Sequence, residues 1–159
     1  MPILSAPFPA GERFVKDDGT LADKALLWLV DQGGILTSAP RKLGAGVDLE
    51  AHAATIATTP IYSNAIPAGL YRVSYYIQVT RAAGVSSDFT FSLTWTNFGV
   101  AQSFTGSTKN GNTTTTYEQG TIVFRADENT PVSYSVVYNS VGAPTMQYFL
   151  GATLEQLNA

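Results

Sequence analysis

The sequence predicts a mainly β protein: an antiparallel, jelly-roll-like β-sandwich preceded by an extended N-terminal arm and one short helix. Three observations predict this class. Beyond about residue 50, apolar residues alternate with polar ones, as in strands that bury one face. Turn-forming residues separate these segments at intervals of roughly 10 to 15 residues, with no helical segment between them. Before residue 50 the alternation is missing, and prolines and one run of helix formers replace it.

The first 45 residues are predicted to form a docking region, and residues 46–159 the sandwich. Three prolines in residues 2–19 favour an extended arm over a regular element. Its apolar side chains, Phe8 and Phe14 among them, are too many for a solvated tail, so we expect the arm to lie on another surface. Pro40 and two glycines predict that residues 38–46 are an irregular linker.

A short helix is predicted over about residues 21–32. Thr20 is suited to cap its start, and Gly33 and Gly34 are suited to end it. An isolated helix of this length is marginal in water, so it must be stabilised by packing of its apolar side chains. We expect these side chains to dock on another protein, with packing on the chain's own sandwich as the alternative: Leu21, Ala25, Leu26, Trp28, Leu29 and Val30.

Seven or eight strands are predicted after the linker. The clearest alternation is in residues 69–80, 88–98 and 131–139, and weaker strands are expected at about 53–63, 100–106, 114–126 and 146–157. The apolar phase assigns one face of the clear strands to the core. The predicted inward residues are Tyr71, Val73, Tyr75, Ile77, Val79, Phe89, Phe91, Leu93, Trp95, Val132, Tyr134, Val136 and Tyr138.

The composition argues against several function classes. Only 13% of the residues are charged, against a usual fraction of about 25%. A net charge of -3 does not suit the phosphate backbone of nucleic acid. The apolar run at residues 25–30 is far too short to span a bilayer, so no membrane insertion is expected. The chain has no cysteine, which excludes disulfides and Cys-ligated zinc.

No catalytic, cofactor or metal site is predicted, and we expect a protein that is not an enzyme. His52 is the one histidine, and its neighbours in sequence, Asp48 and Glu50, do not supply a nucleophile. Paired carboxylates are not evident either, because the acidic residues of the sandwich are scattered or lie in turns. These are Asp88, Glu118, Asp127, Glu128 and Glu155.

Three tyrosines are candidates for ligand contact, because the alternation does not clearly place them in the core. They are Tyr76, Tyr117 and Tyr148. Exposed tyrosines among Ser, Thr and Asn suit contacts with sugars or with protein.

The strand-rich sequence resembles the β-rich domain of small virion proteins of tailed bacteriophages, of the tail-fibre and decoration kind. The resemblance lies in "GLYRVSYYIQVT", "FSLTWTNFGVAQSF" and "GTIVFRADENTPVSYSVVYNSVGAPTMQYFLGATLEQL", and it covers about residues 50–157. It implies a jelly-roll-like module, often trimeric, that is attached to the particle by its N-terminal arm and is not an enzyme.

The resulting hypothesis is a virion structural protein, synthesised in the host cytoplasm, whose arm and helix bind other virion proteins of the tail or neck. A capsid decoration protein is one alternative, and a carbohydrate-binding receptor-recognition module that contacts a host surface glycan is another. A homotrimer is expected, since Val123, Val137 and Phe149 lie in phase with the outer face of the sandwich.

Overall fold

The computed structural model describes residues 40–158, which form nine strands and no helix. The strands are β1 (Arg41–His52), β2 (Ile56–Pro60), β3 (Gly69–Arg81), β4 (Ser86–Asn97), β5 (Val100–Thr105), β6 (Lys109–Asn110), β7 (Tyr117–Ala126), β8 (Ser133–Val141) and β9 (Gln147–Asn158). Each segment expected to be a strand overlaps an observed one, and the additions are β1 and the two-residue β6.

The strands pair into two antiparallel sheets. The front sheet has the order β1-β9-β3-β7. The back sheet has the order β2-β8-β4-β5, and β6 also pairs with β4. The predicted mainly β, antiparallel sandwich is therefore confirmed.

Aromatic side chains from the two sheets meet in the core. The ring of Tyr75 on β3 stacks on Phe91 of β4, with ring centroids 4.2 Å apart. Trp95 of β4 packs on Phe124 of β7 at 4.6 Å. Contacts of this kind across the interior hold the sheets face to face. The predicted inward residues are buried, except for Trp95 and Tyr138, which are partly buried and pack against the core.

The segment expected to be a linker is part of the first strand. β1 begins at Arg41, and Leu43 is buried in the core. Its two glycines do not break the strand but shift its register between Leu43 and Val47. Gly44 and Gly46 have φ values of 67° and 87°, which only glycine adopts readily, so they form a bulge.

The predicted helix at 21–32 and the arm lie outside the described residues. The predicted docking residues share this position, and their role stays a prediction: Phe8, Phe14, Leu21, Ala25, Leu26, Trp28, Leu29 and Val30.

Candidate functional site

Three aromatic side chains converge on the outer face of the front sheet. In the strand register, Gln78 of β3 lies between Tyr117 of β7 and Phe149 of β9. Tyr76 lies two residues before Gln78 and therefore points to the same side of the sheet. Pairing of three strands, rather than proximity in sequence, brings the rings together.

The three rings form one cluster, which we call the aromatic platform: Tyr76, Tyr117 and Phe149. Ring centroids are 6.1 Å apart between Tyr76 and Tyr117, and 6.2 Å apart between Tyr76 and Phe149. Tyr117 is 54% exposed, and the other two rings are half-buried. The platform thus has ring contacts within it and apolar surface open to solvent.

Hydrogen bonds of Gln78 hold one ring of the platform, that of Tyr76. The hydroxyl of Tyr76 donates to Oε1 of Gln78 at 2.7 Å. The Nε2 of Gln78 donates in turn to the carbonyl of Thr114 at 3.3 Å. Because both ends of the Gln78 amide are engaged, the Tyr76 ring is held in place before any ligand arrives.

A depression of about 440 Å³ lies beside the platform, over β1, β9 and β3. Gly151 opens it, because this residue has no side chain at a position between Asp48 of β1 and Tyr76 of β3. A Cβ at Gly151 would lie 3.2 Å from the ring of Phe149. The lining also includes polar side chains suited to hydrogen bonding, namely Lys42, Asp48, Ser74 and Thr153.

Two further depressions lie on the front sheet, and one of them also borders the platform. One of about 360 Å³ is lined by Phe149 and Gln78 together with Glu50, Ala51 and Thr80. The other, of about 390 Å³, lies between β3 and β7 and is lined by Ser74, Tyr75, Gln119, Gly120 and Thr121. The Phe149 ring, the amides of Gln78 and Gln119, and hydroxyl groups therefore line hollows on the front sheet.

Charge near the platform is sparse and partly paired. Arg72 of β3 lies opposite Glu155 of β9, and its Nε donates to Oε2 of Glu155 at 2.7 Å. Lys42, Asp48 and Glu50 are the charged residues that line the depressions described here. The face therefore offers hydrogen bonds more than a strong field of one sign.

Tyr148 does not belong to this site. It was expected to be a candidate for ligand contact, but its side chain is fully buried in the core. Its hydroxyl donates to the carbonyl of Ala54 at 2.7 Å, and burial raises its pKa. Among the three candidate tyrosines, the structure brings Tyr76 and Tyr117 together and separates Tyr148 from them.

Four carboxylates of the sandwich have structural partners. Within residues 40–158, no group of three or more His, Asp or Glu side chains is close enough to hold a metal ion. The carboxylates accept hydrogen bonds as follows: Asp88 from Asn139, Glu118 from Tyr75, Glu155 from Arg72, and Asp127 from the backbone N–H groups of Phe98 and Gly99. His52 packs edge-on against the ring of Tyr148.

Sequence reasoning did not identify Phe149, Gln78 or Gly151 as site residues. The usable signal was the phase of β9, in which Leu150, Ala152 and Leu154 are buried together with Tyr148. This phase places Phe149 and Gly151 on the outer face. Their juxtaposition with Tyr76 depends on strand register, which the sequence does not display.

Comparisons with known proteins add little. No protein-family model and no curated protein matches the sequence. A solved structure titled "Family 16 Carbohydrate Binding Module-2" is similar with a TM-score of 0.33 and 13% identity, over 69% of this chain and 74% of that chain. A TM-score this low does not establish a shared fold or ligand.

Among the described residues, no helix is long and apolar enough to cross a membrane.

Proposed function

We propose that this chain is a non-enzymatic module that binds a surface glycan on the outer face of its front sheet. The observation that carries the proposal is the aromatic platform with hydrogen-bonding side chains around its hollows. A sugar ring has an apolar face of C–H groups and a rim of hydroxyls. Aromatic rings cover the former, while amides, hydroxyls and carboxylates bind the latter.

The exposure of the platform supports a binding role over a purely structural one. Core packing does not require Tyr76, Tyr117 or Phe149, because the inward residues of the same strands already fill the interior. Rings clustered on a solvent-facing sheet are a usual sign of an interaction site. The fixed Gln78 amide adds directionality, which a merely apolar patch lacks.

The strand order supports a jelly roll as the finer description of the fold. The front sheet has the order β1-β9-β3-β7, so the first and last strands of the chain's sandwich are neighbours in it, and the back sheet has the order β2-β8-β4-β5. Consecutive strands cross repeatedly from one sheet to the other, as two interleaved Greek keys require. A jelly roll is also the module that the resemblance to phage virion proteins implies. On this basis the glycan would be a host receptor for a phage particle.

A second candidate function is that of a virion structural protein assembled through the back sheet. The observation that favours it is the distribution of charge between the sheets. Nine charged residues lie in the front-sheet strands, whereas the five back-sheet strands contain two, Asp88 and Lys109. Depletion of charge is typical of the centre of a protein interface. The two functions are compatible, since they use opposite faces.

The glycan proposal is tested with the full chain on a glycan array. We expect binding that Tyr117→Ala weakens by about tenfold or more, since a partly exposed aromatic anchor is lost. Phe98→Ala is the matched control, because Phe98 is also exposed, at 75%, but lies in the β4–β5 turn. Equal binding by the wild type and Tyr117→Ala would contradict the proposal, as would no binding to any glycan.

A further inference from the structure

The three depressions of the front sheet share lining residues, and we call them together the track. The 440 Å³ depression shares Phe149 with the 360 Å³ depression, and it shares Ser74 and Tyr75 with the 390 Å³ depression. Together they extend over all four strands of the front sheet, from β1 to β7. Three gaps between neighbouring strands of about 4.8 Å give a width of about 14 Å. That width exceeds the size of one sugar ring.

The volumes support the same conclusion. Small-ligand sites commonly measure about 300–1,000 Å³, and each depression lies near the lower end of this range. Each can therefore accept about one sugar unit. A terminal sugar alone would fill one depression and leave the others unused.

The charges along the track select against acidic sugars. Lys42 is the one cation among the residues that line the three depressions, whereas Asp48 and Glu50 supply two negative charges. The neighbouring guanidinium of Arg72 is paired with Glu155. Recognition of carboxylate or sulfate groups usually depends on arginine forks or several cations. An acidic glycan would instead meet net repulsion.

From these observations we infer that the ligand is an uncharged polysaccharide, bound through an internal segment of several sugar units that crosses β1, β9, β3 and β7. This inference rests on the proposed glycan-binding function and specifies its ligand class. The apolar faces of the sugars lie on Tyr117, Tyr76 and Phe149. The hydroxyls at one end of the segment reach Glu50 and those at the other end reach Gln119.

The test uses the full chain and two sets of probes. Neutral homopolysaccharides (glucans, mannans and galactans) are compared with acidic ones (polygalacturonate and polysialate). The tightest neutral binder is then cut into a ladder of one to six units for calorimetry. We expect neutral polymers to bind more tightly than acidic ones. Affinity should rise by about tenfold or more from one unit to four or more, because further depressions are filled.

Two variants test the ends of the track. Glu50→Ala removes a side chain at one end and Gln119→Ala at the other, and both residues are exposed. Each should reduce affinity for the longest oligosaccharide several-fold. Unfolding temperatures equal to that of the wild type show that the variants are folded.

The outcomes separate the inference from the proposed function. Binding in which one sugar unit is bound as tightly as six, or in which acidic polymers bind best, overturns the inference but leaves glycan binding standing. Insensitivity of long oligosaccharides to both end variants also overturns it. Absence of binding to every carbohydrate probe overturns both.

Discussion

Asp127 fixes the turn that joins β4 to β5. Its Oδ1 accepts from the backbone N–H of Phe98 at 2.9 Å, and its Oδ2 accepts from that of Gly99 at 2.7 Å. Phe98 has a φ of 52°, an unusual value for an aromatic residue. The carboxylate therefore offsets the backbone strain at Phe98. Because Asp127 directly follows β7, these hydrogen bonds also connect the β4–β5 turn to the end of β7.

Removal of this carboxylate should destabilise the sandwich. We expect Asp127→Ala to lower the free energy of unfolding by about 1.5–3 kcal/mol, the usual contribution of hydrogen bonds to a charged group. Urea denaturation measures the loss. Glu128→Ala is the control, because this side chain follows Asp127 in the connection between β7 and β8 and is exposed. Equal effects of the two substitutions would show that Asp127 does not hold the turn.

Buried tyrosines should make the fold sensitive to alkaline pH. Burial raises the pKa of Tyr75 to about 12, and the nearby Glu118 carboxylate adds to the shift. In the unfolded chain the Tyr75 phenol has its ordinary pKa of about 10. Between these values the unfolded state loses the proton first, so stability falls as pH rises from about 10 to about 12 and is unaffected by this group below pH 10.

Tyr75→Phe should flatten this pH dependence without removing it, because burial also raises the pKa of Tyr71, Tyr134 and Tyr148. Urea midpoints measured at pH 9, 10 and 11 give the slope. Tyr76→Phe is the control, since this tyrosine lies on the outer face. If Tyr75→Phe and wild type show the same slope, the Tyr75 phenol does not contribute to it.

At the scale of the elements, β1 depends on the two glycines that form its bulge, Gly44 and Gly46. Gly46 has a φ of 87°, and a Cβ there would lie 2.6 Å from the carbonyl oxygen of Ala152 on β9. Gly99 also has a positive φ, of 70°, but nothing lies within 4 Å of its Cβ position. A comparison of alanine substitutions at these two glycines therefore separates the effect of steric contact from that of backbone strain.

Gly46→Ala should therefore cost more stability than Gly99→Ala. Strain alone in the left-handed region costs about 1–2 kcal/mol, and this is the expected loss at Gly99. At Gly46 the clash with β9 backbone adds to it, because neither strand can move without breaking its pairing. Thermal or urea unfolding of both variants decides the matter. A Gly46→Ala variant no less stable than Gly99→Ala would mean that β1 shifts to accept the methyl group.

Strand alternation predicted most of the fold but only part of the site. β3, β4 and β8 were placed with the correct inward face, because their apolar phase is unbroken over many residues. β1 was mistaken for a linker in its first half, since glycines that form a bulge resemble glycines that end a strand. In β9, the adjacent rings of Tyr148 and Phe149 were both expected to be accessible, but strand alternation allows this for one of them, and Tyr148 is buried.

At the scale of the whole molecule, the two sheets differ in what their outer faces can do. The front face combines the aromatic platform with most of the charges, whereas the back face consists largely of serine, threonine and valine. Thr90 and Thr108 are hydrogen bonded there at 2.8 Å, and Ser92 bonds Thr105 at 3.3 Å. Side chains that satisfy each other in this way need little from water, which favours contact with another protein surface.

A matched pair of valines tests which face assembles the expected homotrimer. Val137 of β8 lies on the back face and Val123 of β7 on the front face, and each is 54% exposed. Val137→Lys would place a charge within a desolvated interface, which costs several kcal/mol unless the charge is paired. Val123→Lys would remain in solvent. We expect light scattering to give three times the chain mass of 16.9 kDa for the wild type and Val123→Lys, and a monomer for Val137→Lys.

Dissociation of the trimer has a consequence for glycan binding, because the three front faces of one trimer bind a polymer with higher avidity than the single face of a monomer does. Val137→Lys should therefore bind an immobilised polysaccharide more weakly than the wild type, while its affinity for a short soluble oligosaccharide should be unchanged. Calorimetry and surface binding, performed on the same samples, separate the two quantities.

A wild-type chain that is monomeric at micromolar concentration would refute assembly through the back sheet. A trimer that Val123→Lys disrupts and Val137→Lys leaves intact would assign the interface to the front sheet instead, where it would compete with the glycan for the platform.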